Sequence, residues 1–126
     1  MAILGHGIDF IETDRIAAMQ AKHGEHFLHR VFTQGELAHC LGAKRAVEHL
    51  AGRFAAKEAI LKALGTGWRG GIAWTDMEVL PDPAGKPCVT LTGECAQLAS
   101  QMGIRHWHLS ISHLKAIAMA SAIAES

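Results

Sequence analysis

An excess of charge of either sign, paired cysteines and long apolar runs are all missing from this sequence, and each absence excludes a class. Twelve Lys and Arg meet twelve Asp and Glu, so the formal net charge is zero with histidine neutral. That balance disfavours both a strongly basic nucleic-acid domain and an acidic, disordered chain. The three cysteines, Cys40, Cys88 and Cys95, are odd in number and widely spaced. They match neither a disulfide framework nor a C-x-x-C zinc knuckle. The longest apolar stretch, Ala116 to Ala124, is nine residues with a serine inside it, against the ~20 that a membrane span needs. Met1-Ala2-Ile3-Leu4-Gly5 has no basic segment leading into a sustained apolar one, so no signal peptide is read. The expectations are a cytoplasmic location, no membrane and no nucleic acid.

What remains is ordinary globular composition, 49% hydrophobic and 19% charged, in 126 residues. That length is one domain, spanning 1–126. Residues 3–12 read as a strand interrupted by Gly5 and Gly7, and 13–22 as a helix with Thr13 or Asp14 as N-cap. A turn at Gly24 leads to a short helical stretch ending near Val31-Phe32. Thr33-Gln34-Gly35-Glu36 then has the spacing of a capping box.

A long helix is expected from about Lys44 to Leu64, stopped by Gly65-Thr66-Gly67. Two strands, 75–80 and 88–92, flank a turn that holds all three prolines. A short helix, 93–102, and a strand, 105–113, follow. Between 116 and 124 every even position is alanine, while 117, 119 and 123 are Ile, Met and Ile. Period two means a strand with one bulky face and one flat face, and the flat face permits close approach of another element. The order predicts an α+β fold, a small and mainly antiparallel sheet packed against the long helix.

Two carboxylates sit where carboxylates are unwelcome. On a helical wheel with Phe54 at zero, Val47 falls at about +20°, Glu58 at about +40° and Ala51 at about +60°. Glu58 is thus inside the apolar stripe. A carboxylate there must be neutralised, paired or ligated, and Lys62 one turn on is the simplest partner. Asp9 lies among Ile8, Phe10 and Ile11 in a strand, where carboxylates are depleted. Brought together, the two would suit a hard divalent cation such as Mg²⁺.

Between Lys44 and Arg69 six basic residues face only Glu48 and Glu58, a local excess of four that suits a phosphate substrate or a solvated helix face. His106, His108, Ser110 and Ser112 share one strand face, a wetted surface or a wall of phosphate contacts. No nucleophile elbow surrounds either serine. His23, His26 and His29 fan around a helix with no fourth ligand, so zinc is set aside.

These residues also spell a family. Gly7-Ile8-Asp9, then Arg53-Phe54-Ala55-Ala56-Lys57-Glu58-Ala59 through Lys62 to Gly65-Thr66-Gly67, then His108-Leu109-Ser110-Ile111-Ser112-His113, occur in order. With Phe32-Thr33, Glu36-Leu37 and Gly85-Lys86-Pro87, they closely resemble the holo-acyl-carrier-protein synthases of the 4′-phosphopantetheinyl transferase superfamily. The resemblance implies a homotrimer with coenzyme A bound in clefts shared between subunits. It implies transfer of phosphopantetheine from coenzyme A to a serine of apo-acyl carrier protein in fatty acid biosynthesis, with release of adenosine 3′,5′-bisphosphate. By position, Asp9 and Glu58 would hold Mg²⁺, and Glu58 or a metal-bound water would help deprotonate the serine. Lys62 would stabilise phosphate charge, Arg53 and His108 would contact coenzyme A phosphates, and Gly65 and Thr66 would line the cleft. The resemblance leaves open a transferase serving polyketide or peptide synthase carriers, and a trimeric coenzyme A-binding module without catalysis.

One departure stands out. The first helix of the family docks the acidic carrier and is usually rich in basic residues. Here Arg15, Lys22 and Arg30 are interleaved with His23, His26, His29 and the acidic Glu12, Asp14 and Glu25. Carrier docking is then weaker, differently distributed, or dependent on histidine protonation.

Overall fold

The structure is a computed structural model and describes residues 1–126. Strand β1 (Ile3–Glu12) runs directly into helix α1 (Thr13–Val31), which is broken at Gly24 by a positive φ of 54°. The predicted turn and the two helical pieces around it are therefore both present. Neither predicted residue caps this helix. Glu12 occupies the N-cap position, and the Thr13 hydroxyl donates instead to the Lys115 carbonyl at 2.7 Å.

Helix α2 (Gln34–Leu41) opens with the capping box read from the sequence. The Glu36 amide donates to Thr33 Oγ1 at 3.2 Å, and the Thr33 amide donates to Glu36 Oε1 at 2.9 Å. Helix α3 (Ala46–Leu64) starts two residues later than the expected Lys44 and ends on Gly65, whose φ of 80° closes the last turn. A 3-10 turn (Trp74–Asp76), the hairpin β2 (Met77–Pro81) and β3 (Pro87–Leu91), helix α4 (Gly93–Met102), β4 (His106–His113) and β5 (Ile117–Glu125) complete the α+β chain. No helix is long and apolar enough to cross a membrane.

The strands form an antiparallel sheet in the order β1-β5-β4 and a separate β2-β3 hairpin. The central strand is the alanine strand. Ala118, Ala120, Ala122 and Ala124 are all buried. In register, Ala120 lies beside Asp9 and Ile111, and Ala122 beside Gly7 and Leu109. This flat face receives α3, the burial its period-two pattern predicts.

The opposite sheet face has no covering element. Ile8 and Phe10 are 49% and 67% exposed there, and Met119 is 41% exposed. His106, His108, Ser110 and Ser112 lie on that same outer face of β4.

Candidate active site

Two glycines let β1 and α3 touch through their backbones. A Cβ on Gly5 would fall inside the van der Waals envelope of the Ala63 carbonyl oxygen, and one on Gly7 inside that of Ala59. Only glycine tolerates such an approach. Asp9 is the next residue on this face of β1, and Glu58 and Lys62 stand on the flank of α3 that borders it. Lys62 Nζ donates to Asp9 Oδ1 at 3.0 Å and to the Ile8 carbonyl at 2.9 Å.

Glu58 is half-buried, and its proton affinity is raised first by that burial and second by the Asp9 carboxylate, with Lys62 opposing. The structure therefore brings Asp9, Glu58 and Lys62 into one electrostatically coupled cluster. The simple pairing of Glu58 with Lys62 is replaced, because the lysine bonds to Asp9. One turn further, Gly65 caps α3 and the Thr66 hydroxyl donates to the Gly67 carbonyl at 3.0 Å. Both residues border the Lys62 end of the cluster.

Arg53 and His108 are elsewhere. Five residues before Glu58, Arg53 projects about 140° away around the helix. It lines a cavity of 340 Å³ with His39, His49, Gly85, Pro87 and His113. Arg53 is only 7% exposed, forms no ion pair, and its Nε has no acceptor. A buried nitrogen without an acceptor is costly, and this one sits at the wall of the cavity. On the outer sheet face His108 lies 3.3 Å from Glu125, and β4 and β5 separate it from α3. One copy of the chain does not gather all the predicted phosphate contacts.

The basic run along α3 is also less available than its count suggests. Lys57 is fully buried, donating to the Val31 carbonyl and Glu36 Oε1 at 2.7 Å each and to the Trp74 carbonyl at 3.1 Å. Glu36 Oε2 in turn accepts the Val79 amide at 2.8 Å. This knot fastens α2, α3 and the β2 hairpin next to Glu58. Its only signal in the sequence was the capping-box glutamate, which gave no hint of a buried lysine partner.

A second cavity, 420 Å³, opens between α1 and α3 and is lined by Met19, His23, His26, Phe27, Phe54 and Trp74 among others. Phe54 is one turn before Glu58, so this apolar groove leads toward the carboxylates. Its aromatic wall continues outward, Trp74 packing on Phe54 at 5.2 Å and Trp68 stacking on Trp74 at 4.7 Å. His29 pairs with Glu25 at 2.8 Å, and no group of three His, Cys, Asp or Glu is placed to hold an ion. Nor is there a protein thiol to act as nucleophile in the core, since burial pushes Cys40 and Cys95 up to about 11.

The pattern of the 4′-phosphopantetheinyl transferase superfamily matches residues 5–122. The chain belongs to that superfamily. A holo-[acyl-carrier-protein] synthase of Koribacter versatilis is 48% identical over 123 residues, covering 98% of each chain. The crystal structure of the Neisseria meningitidis holo-[acyl-carrier-protein] synthase matches with a TM-score of 0.91 at 34% identity, covering 99% of this chain and all of that one. A Bacillus anthracis holo-(acyl-carrier-protein) synthase in complex with CoA (3′,5′-ADP) matches with a TM-score of 0.81 at 41% identity, covering 98% and 97%. As a member of this transferase superfamily the protein is an enzyme.

Proposed function

We propose that this phosphopantetheinyl transferase moves 4′-phosphopantetheine from coenzyme A to a serine of an apo-acyl carrier protein in fatty acid biosynthesis, working in the cytoplasm. The observation that carries the reading is the Asp9–Glu58–Lys62 cluster, set at a backbone-to-backbone contact in a chain whose full-length relatives are holo-acyl-carrier-protein synthases. Two hard oxygen donors that repel each other fit Mg²⁺, which takes one or two protein carboxylates and fills its shell with water and phosphate oxygens. Asp9 and Glu58 would hold it, and it would supply positive charge against the pyrophosphate.

The chain's own groups do the rest. Lys62, released from Asp9, donates to phosphate oxygens where negative charge grows during transfer. Glu58, beside the phosphates, accepts the proton of the carrier serine hydroxyl. The backbone at Gly65 and Thr66 borders the phosphates. The groove of Met19, Phe27, Phe54 and Trp74 gives the carrier and the pantetheine arm an apolar approach to Glu58. The reaction then releases adenosine 3′,5′-bisphosphate. Because Arg53 and His108 face away from the cluster, a neighbouring copy supplies these phosphate contacts. The uncovered apolar sheet face is the surface on which a homotrimer with shared sites assembles.

The test is intact mass of apo-acyl carrier protein after incubation with enzyme, coenzyme A and Mg²⁺. A gain of one phosphopantetheine is expected. Asp9→Asn and Glu58→Gln should each lower kcat by ~100-fold or more with the fold intact, and excess EDTA should stop transfer. No mass gain on any carrier would remove the transferase reading.

A further inference from the structure

Three elements line the groove beside Glu58: α1, α3 through Phe54, and the 3-10 turn through Trp74. One side chain connects all three. Lys57 stands on α3 one turn from Phe54 and donates to the Val31 carbonyl, at the end of α1, at 2.7 Å. It also donates to the Trp74 carbonyl at 3.1 Å and to Glu36 Oε1 at 2.7 Å. Those three bonds use every proton that an ammonium has. A further link is aromatic. The ammonium lies 5.5 Å from the centre of the Phe32 ring, and Phe32 meets Phe27, another groove residue, edge-on at 6.0 Å.

Stability alone does not call for this arrangement, because a buried ion pair gains little over well-packed apolar side chains of similar volume. What the lysine adds is direction. The last carbonyls of a helix have no partner within it. Lys57 takes one of these from α1 and ties it to the turn that carries Trp74. Trp74 packs on Phe54 at 5.2 Å and on Trp68 at 4.7 Å, so the position of that turn sets the aromatic wall. Glu36 balances the charge and is itself held by the amides of Thr33 and Val79.

We propose that Lys57 is a positioning residue for the carrier protein, its one ammonium holding α1 and the Trp74 turn at a fixed spacing on α3 and so setting the width of the groove that leads to Glu58. The proposal rests on the carrier reading above. It adds a residue which that reading leaves out, and it gives Lys57 no part in the chemistry.

Steady-state transfer to apo-acyl carrier protein by the full chain tests this, with Lys57→Met combined with Glu36→Gln as the main variant. The pair is removed together, so no buried charge is left alone. The expected result is a carrier KM raised roughly tenfold, with kcat and the Kd for coenzyme A within about twofold of the parent. Near-UV circular dichroism should show altered Trp68–Trp74 packing in the same variant, without any substrate present. Glu36→Gln alone is the control for lost stability. There Lys57 keeps its bonds to both carbonyls, so the melting temperature should fall while the carrier KM and the tryptophan signal stay. Lys57→Gln, a shorter donor that leaves Glu36 its two amides, should raise the carrier KM in the same sense if the double variant does not fold. An unchanged carrier KM in a folded Lys57 variant overturns the proposal and leaves the transferase reading standing. So does a KM raised equally by Glu36→Gln, or a loss of coenzyme A affinity alongside it, since either reports general loosening. Failure of both Lys57 variants to fold also overturns it, by making the residue one of stability alone. A parent chain that modifies no carrier removes the transferase reading and this proposal together.

Discussion

At the scale of single residues, Glu58 carries a cost that its proposed role explains. Its folded-state proton affinity is raised, by burial first and Asp9 second. A raised carboxyl contributes stability in acid, below its ordinary value, and that contribution is lost as pH rises through the raised value. The ionised Glu58 therefore weakens the fold at neutral pH when no divalent cation is present. Glu58→Gln should raise the melting temperature at pH 8 in EDTA and lose most of that advantage near pH 4. Thermal unfolding followed by circular dichroism at the two pH values checks this, and a lower melting temperature at pH 8 would refute the burial argument. Lys57, its neighbour in sequence, is the opposite case. It is buried and fully satisfied by three acceptors, so it belongs to the scaffold.

Elements meet in this fold with little side chain between them. Gly7 of β1 lies under the Ala59 carbonyl of α3, and the alanine face of β5 lies beside it. Gly7→Ala forces the helix off the strand, with an expected loss of about 1–3 kcal/mol or more. A drop in the urea midpoint at unchanged m would register it, and an unaltered midpoint would mean that the contact gives way easily. Much of this was legible. The alternation from Ala116 to Ala124, the Thr33–Glu36 box and the Gly65 stop are local signals, and each produced the element expected. Asp9 and Glu58 were legible because a charge in an apolar pattern violates a local rule. The partner of Glu36, the Arg53 cavity and the three-histidine cluster were not. Their members are spread over several elements, and no period in the sequence links them. The shared face of His106, His108, Ser110 and Ser112 was also read from the alternation, but alternation does not say which face meets the helix.

For the whole molecule, the uncovered outer sheet face and the proposed sharing of phosphate contacts make one prediction together. Phe10→Glu, placed where the side chain is 67% exposed in one copy, should leave secondary structure intact. Under the trimer reading, light scattering should then report one subunit's mass where the parent chain gives three, and transfer activity should fall with it. A parent chain that is itself monomeric would separate the site from assembly. The contact of Gly5 and Gly7 with the carbonyls of α3 has a consequence of another kind. It acts as a mechanical stop, setting the separation of the two backbones that carry Asp9 and Glu58 by peptide atoms, which cannot change rotamer or be repacked. Under the Mg²⁺ reading, core residues can then drift in size over generations without moving apart the two elements that carry the proposed ligands.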